Sequence, residues 1–200
     1  MKRTRPAALI GVAGLVLTGA VAAAPGRAAD DAGAPLHVTG PPPGHTGGFG
    51  EPTCRECHLG SELNAPGSTL EVLGIDGGYV PGESADVTVR LHSFEMLAAG
   101  FQAAFRHADG PRKGESAGVL LSRDDRVAVV RGPTGTTYVQ HTQAGVPPDG
   151  EMAEWTFEWT GPVDGGAVAL HLAANSGNGD NSPLDDLVYA MAVRLEAASR

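Results

Sequence analysis

The sequence predicts an all-β chain folded as an antiparallel β-sandwich, and three observations support this prediction. Apolar and polar residues alternate with a period of two in several segments after residue 68, which is typical of strands with one buried face. Turn-forming combinations of Gly, Pro, Asp and Asn separate these segments at short intervals. The 29 glycines and 15 prolines among 200 residues indicate many turns and few long helices.

The alternation begins at about Thr69 and predicts seven or eight strands. The clearest strands each carry a row of apolar residues that we expect to face the interior: Val87, Val89 and Leu91; Phe101, Ala103 and Phe105; Trp155, Phe157 and Trp159; Val168, Leu170 and Leu172. A last alternation, from Val188 to Leu195, closes the series. The two tryptophans are predicted to be core residues rather than ligand contacts.

Residues 1–29 are predicted to form a bacterial-type secretory signal. Lys2, Arg3 and Arg5 precede a small, apolar stretch, and residues 26–29 offer a peptidase site. We therefore expect a periplasmic or secreted protein with no membrane insertion after cleavage. The apolar stretch is only just long enough to span a bilayer, so its retention as an anchor is the alternative.

Residues 30–50 are rich in Gly, Pro and Ala and are predicted to form a flexible linker. Directly after it comes Cys54-Arg55-Glu56-Cys57-His58, which contains the only two cysteines of the chain. In a C-x-x-C-H motif each thiol can form a thioether with a vinyl group of haem, and the histidine then lies beneath the iron. The motif predicts one covalent haem c, held by Cys54, Cys57 and His58 within an attachment segment at 51–67.

Other uses of two closely spaced cysteines fit less well. A structural zinc site of this kind needs four ligands, and there is no second cysteine pair. A thioredoxin-like motif would begin a helix, whereas residues 59–67 have the composition of a loop. A short-loop disulfide, another metal site and a free thiol pair stay open as alternatives.

Six short motifs occur in a distinctive order. They are Thr53-Cys54-Arg55-Glu56-Cys57-His58, Tyr79-Val80-Pro81-Gly82, Gly100-Phe101-Gln102, Tyr138-Val139-Gln140-His141-Thr142, Trp155-Thr156-Phe157-Glu158-Trp159 and Asn175-Ser176-Gly177-Asn178-Gly179-Asp180. In this order they resemble the bacterial reeler-type domain called choice-of-anchor V, a distant relative of the N-terminal domain of reelin. The resemblance covers roughly residues 52–195. It implies an immunoglobulin-like β-sandwich, here at 68–197, in an exported protein with variable C-terminal anchoring, although no sorting signal or anchor is visible after Leu195.

The remaining His and Met residues are the candidates for a second axial ligand of the iron. His141 ranks first because it lies in the Tyr-x-x-His-Thr motif of the resembling family, between Gly135 and Gly145. His171 ranks second: it alternates with inward-facing residues and should face outward. Met96 ranks third, in a loop that could approach the site. The prediction is His/His ligation by His58 and His141.

An oxygen-rich stretch near the carboxyl end is a candidate for binding a hard cation such as calcium. It comprises Asn175, Asn178, Asp180, Asn181, Asp185 and Asp186. A polar turn stabilised by its own side chains is the simpler interpretation.

The formal net charge of −9 argues against binding to nucleic acid or to anionic membranes. It becomes more negative once residues 1–29, with four basic and no acidic residues, are removed. Such a surface suits a redox partner with a basic docking face. We therefore expect a monohaem electron-transfer protein rather than an enzyme. The alternatives are a binding or adhesion module with a structural or sensory haem, and a haem enzyme with an open iron position.

Overall fold

The computed structural model of the chain describes His37 and residues 39–198, and regular structure in this part is almost entirely β-strand. The strands in chain order are β1 (Leu59–Gly60), β2 (Thr69–Leu73), β3 (Ser84–His92), β4 (Ala98–His107), β5 (Val119–Ser122), β6 (Val127–Arg131), β7 (Thr137–His141), β8 (Met152–Thr160), β9 (Val168–Gly177) and β10 (Leu184–Leu195). Two single-turn 3₁₀ helices occur at Cys54–Glu56 and Gln143–Gly145. No helix in the described part is long and apolar enough to span a bilayer. The predicted signal segment, 1–29, lies outside the described residues.

The strands form two sheets, with the orders β1-β10-β9-β4-β7-β6 and β2-β3-β8-β5. All pairings within them are antiparallel except that of β1 with β10. The predicted fold class, an immunoglobulin-like antiparallel β-sandwich, is confirmed, and β2 begins at Thr69 as the alternation indicates. The described part contains ten strands instead of seven or eight, because strands as short as β1 pair through too few residues to show a period.

The hydrophobic core lies between the two sheets and is dominated by aromatic side chains. Trp155 and Trp159 of β8 are each 1% exposed, which confirms them as core residues. Phe101 stacks on Trp155 with ring centroids 4.7 Å apart, and Phe105 stacks on Trp159 at 4.3 Å. Each indole N–H donates to a backbone carbonyl, so both tryptophans are buried without an unpaired polar group. The alternation of β4 and β8 thus brings these aromatic rows into contact across the sandwich.

The outer face of the six-stranded sheet is also covered. Outward-facing residues of β4, such as Gln102 and Arg106, are as buried as the core residues of the same strand. The cover is a segment of irregular backbone at residues 39–53, which we call the covering segment. It includes the latter part of the stretch for which the composition predicts a flexible linker.

Hydrogen bonds attach the covering segment to the sheet at two places. The side-chain oxygen of Gln102 accepts from the backbone N–H groups of Gly44, at 2.9 Å, and His45, at 2.7 Å. Farther along, Glu51 pairs with the buried Arg106 and accepts from the hydroxyl of Tyr138 at 2.6 Å. The covering segment therefore delivers the C-x-x-C-H motif, which follows it directly, to one end of this sheet.

Candidate functional site

The C-x-x-C-H motif forms one compact turn. Thr53 caps it, its side-chain oxygen accepting from the N–H of Arg55 at 3.3 Å. The N–H groups of Cys57 and His58 both donate to the carbonyl of Cys54, at 3.2 and 2.9 Å. The chain then enters β1, which pairs with the beginning of β10. Both thiols and the imidazole are thus presented by one turn at the edge of the six-stranded sheet.

The two cysteines are both free thiols but differ in exposure. Cys57 is exposed, whereas Cys54 is partly buried. Burial raises the pKa of the Cys54 thiol to about 12, and the neighbouring Cys57 adds to the increase. Near neutral pH the Cys54 thiol is therefore protonated in the folded chain.

His58 is oriented through one ring nitrogen. Its Nδ1 lies 2.5 Å from Oδ2 of Asp186, a carboxylate that is only 4% exposed. Asn175 approaches the same ring nitrogen at 3.2 Å. The hydrogen bonds of the imidazole within the described part of the chain all involve Nδ1, so Nε2 is unengaged there and the side chain is 33% exposed. A ring held in this way presents Nε2 to a metal.

His141 is the last residue of β7 and is buried. Its Nδ1 lies 3.0 Å from the backbone nitrogen of Phe101 and 3.2 Å from the carbonyl oxygen of the same residue. The ring fits beside Gly100, where a Cβ would lie 2.6 Å from the ring. Burial is the main reason that the pKa of His141 is lowered, while hydrogen bonds to the backbone of Phe101 and His37 oppose this effect. The imidazole is therefore neutral near pH 7.

His58 and His141 belong to the same end of the six-stranded sheet. Asn175, which contacts His58, pairs with Gly100, which contacts His141. The strands β9 and β7 are two positions apart in the sheet, a separation of about 10 Å. A positive charge on His58 lowers the pKa of His141, although it is the smallest of the influences named. The two predicted axial ligands thus lie toward the same end of the sheet without contacting each other, and in this structure His141 bonds to backbone.

The lower-ranked candidates are covered or buried by other residues. His171 faces outward, as predicted, and its ring is covered by Gly48 and by Phe49, whose ring centroid lies 5.3 Å away. It is four residues from Asn175 along β9, about 13 Å. Met96 is 3% exposed and belongs to the hydrophobic core.

Residues of the oxygen-rich stretch have two different structural roles. Asn175 and Asp186 contact His58. The side-chain oxygens of Asn178 and Asp180 accept from backbone N–H groups two residues ahead, at 3.0 and 2.7 Å, as in Asx turns. Within the described ranges, no three His, Cys, Asp or Glu side chains converge as a ready metal site. Calcium binding stays a prediction.

Sequence reasoning did not identify the residues that hold His58. Asp186 is separated from His58 by 128 positions and was considered only as a cation ligand. No local signal marked it, because Asp186 lies on the outward row of β10, where a polar residue is ordinary.

Comparisons with known proteins bear on the fold alone. No family model matches the chain, and no curated protein matches it. Among solved structures it is similar to the human F-spondin reeler domain, at 16% identity with a TM-score of 0.46, over 69% of this chain and 95% of that one. Another structure of the reelin-N domain of F-spondin has 18% identity and a TM-score of 0.47, over 73% and 96% of the two chains. A cohesin module from a Clostridium perfringens family 33 glycoside hydrolase has 13% identity and a TM-score of 0.43, over 67% and 97%.

Proposed function

We propose that this protein is an exported, monohaem c-type cytochrome-like electron carrier built on a reeler-type sandwich of the choice-of-anchor V kind. Cys54 and Cys57 would hold the haem covalently, and His58 would be an axial ligand. One observation carries the proposal: the histidine of the C-x-x-C-H turn is held at Nδ1 by a buried carboxylate while Nε2 is unengaged. Histidines that bind metals are oriented in this way in most metalloproteins.

The free thiols suit thioether formation. Attachment adds the S–H of each thiol across a vinyl double bond, so one S–C and one C–H bond form while the S–H and π bonds are lost. No oxidant is consumed, whereas a disulfide between Cys54 and Cys57 would release two electrons and two protons. When bound, haem supplies a one-electron ferric/ferrous couple. The turn at 54–58 would hold it, and the sheet edge would shield one side from water.

We propose that His141 would be the second residue, with His58, to hold the iron. Its support is position, because His141 and His58 share one end of the sheet, whereas His171 is covered by Phe49 and Met96 lies in the core. Ligation by His141 requires the ring to leave the backbone of Phe101. That rearrangement would also disturb the start of the described chain at His37, which contributes to the environment of the ring.

An open iron position is the second candidate, and one observation favours it: the His141 ring is buried and bonded to backbone. A haem held by His58 alone would bind small ligands on its free side. Such a protein would sense or transform a small molecule instead of only passing electrons.

The acidic surface supports an extracytoplasmic redox partner with a basic docking face, and it disfavours nucleic acid. Long-range attraction between opposite charges is screened by salt. Electron exchange with such a partner should therefore slow as ionic strength rises. A rate independent of salt would remove the electrostatic part of the proposal.

Haem attachment is tested by intact mass and absorption spectra of protein secreted from a host that matures c-type cytochromes. We expect the mature polypeptide plus one haem, and the bare polypeptide from a Cys54→Ser, Cys57→Ser double variant. A colourless wild-type protein without added mass would overturn the proposal.

The axial ligands are tested on the same material. His/His ligation predicts a low-spin ferric spectrum that His141→Ala abolishes and His171→Ala preserves. A high-spin spectrum that shifts on addition of cyanide, and does not change in His141→Ala, would instead establish the open position.

A further inference from the structure

We infer that Asp186 is a positioning residue that fixes the His58 imidazole through Nδ1 and gives it anionic character, so that a haem bound there has a lower reduction potential. The inference rests on the proposed function for its effect on potential. The other part of the inference is that Asp186 determines which nitrogen of His58 carries the proton. This part does not depend on haem binding.

The environment of Asp186 leaves His58 as its charge partner. The carboxylate is 4% exposed, and Oδ2 lies 2.5 Å from Nδ1 of His58. Oδ2 also accepts from the side-chain N–H of Asn175 at 3.4 Å, and the other oxygen, Oδ1, accepts from the backbone N–H of Asn178 at 3.3 Å. No Lys or Arg of residues 39–198 forms an ion pair with it. A buried carboxylate without a cation is costly, so its one strong contact should matter to the ring it holds.

Glycine makes room for this arrangement. Gly60 of β1 is paired with Asp186, and its backbone has φ of 119°, a left-handed conformation that favours glycine. A Cβ on Gly177 would lie 3.3 Å from Oδ1 of Asp186. The parallel pairing of β1 with β10 therefore places the backbone beside His58 directly against the strand that carries the carboxylate.

The chemical consequence follows from hydrogen bonding. A carboxylate that accepts the Nδ1–H draws the proton toward itself, which makes Nε2 a more basic ligand. A basic ligand and a nearby negative charge both favour ferric over ferrous iron, and the effect is larger where water is excluded. Asp186 should therefore lower the potential of a haem held by His58.

The adjacent residue, Asp185, provides a matched control. It is exposed, and its Oδ1 lies beside Gly60 instead of His58. Both Asp185→Asn and Asp186→Asn remove one negative charge from neighbouring positions of β10. They differ in whether that charge touches the imidazole.

The test on the haem-loaded protein is a spectroelectrochemical titration. We expect Asp186→Asn to raise the reduction potential clearly more than Asp185→Asn does, and Asp186→Glu, which retains the charge, to stay closer to wild type. Equal potentials in the two Asn variants would overturn the inference while leaving haem attachment intact. A protein without haem would instead overturn the proposed function.

The second test uses the haem-free Cys54→Ser, Cys57→Ser protein, and its decisive measurement is made with Asp186 intact. Nitrogen NMR of the imidazole should find the neutral His58 with its proton on Nδ1. Asp186→Ala should return it to the mixture of tautomers typical of an exposed histidine. A proton on Nε2 in the protein with Asp186 intact would overturn the inference, whatever the variants do.

Discussion

The outer faces of the two sheets have the same alternating polar pattern but different surroundings. On the four-stranded sheet the outward residues meet water: Arg90 pairs with Glu154 at 2.6 Å, and their side chains are 36% and 44% exposed. On the six-stranded sheet the outward residues are covered, and Gln102 is fully buried while Arg106 is 5% exposed. One set forms a solvated surface, and the other forms a buried polar layer beneath the covering segment.

This difference shows how the C-x-x-C-H turn acquires its position. Polar side chains on the six-stranded sheet satisfy the irregular backbone of the covering segment, which lacks a regular hydrogen-bond ladder of its own. The covering segment ends directly before Cys54, so its attachment fixes where the motif meets β10. The buried polar layer is therefore part of the architecture of the site.

Glu51→Gln should lower the free energy of unfolding by about 3 kcal/mol, since it leaves the buried guanidinium of Arg106 without its counter-charge. Urea unfolding followed by fluorescence measures the change. The matched control is Glu154→Gln, which removes the partner of Arg90 on the solvated face and should leave the midpoint unchanged within error. Equal losses in the two variants would contradict the distinction between the faces.

Gln102→Leu should cost about 2 kcal/mol, because it removes the acceptor for the N–H groups of Gly44 and His45. Hydrogen exchange at these two amides should accelerate as well. Thr88→Val is the comparison on the other face: it breaks the hydroxyl contact with Thr156, 2.8 Å long, where water can substitute, and should cost less. Unchanged exchange in Gln102→Leu would mean that the covering segment is held by other contacts.

The smallest effect concerns pH. Burial, and then the charge of Arg106, lowers the pKa of His171 from its usual 6.5. As the pH falls through 6.5, His171 of the unfolded chain binds a proton that His171 of the folded chain does not. The free energy of unfolding therefore decreases. His171→Gln should make the decrease shallower between pH 7.5 and about 5.5. His92→Gln, on the solvated face, is the control, and the same slope in wild type and His171→Gln would refute the prediction.

The core and the fold class could be predicted from the local alternation of apolar and polar residues. The row of Trp155, Phe157 and Trp159 follows directly from a period of two, because successive side chains of a strand point to opposite sides. The same rule placed His171 on an outward face. It did not reveal that this face is covered, since the covering segment has no periodicity and its composition is that of a linker.

Only part of the candidate site could be predicted from the sequence. Cys54, Cys57 and His58 are adjacent in sequence, so their chemistry could be proposed from spacing alone. The burial of His141 against Phe101 depends on the pairing of β4 with β7, which no local pattern specifies. Its role as an iron ligand stays a prediction.

By itself the amino-acid sequence determined the strand pattern, the acidic charge and the motif at 54–58, because each is a property of neighbouring residues or of the total. Only the tertiary structure decided that Asp186 reaches His58, that Gln102 and Arg106 are buried, and that a linker-like segment is held on a sheet. Those outcomes come from strand order and from contacts between residues far apart in the chain, which depend on how the whole chain packs.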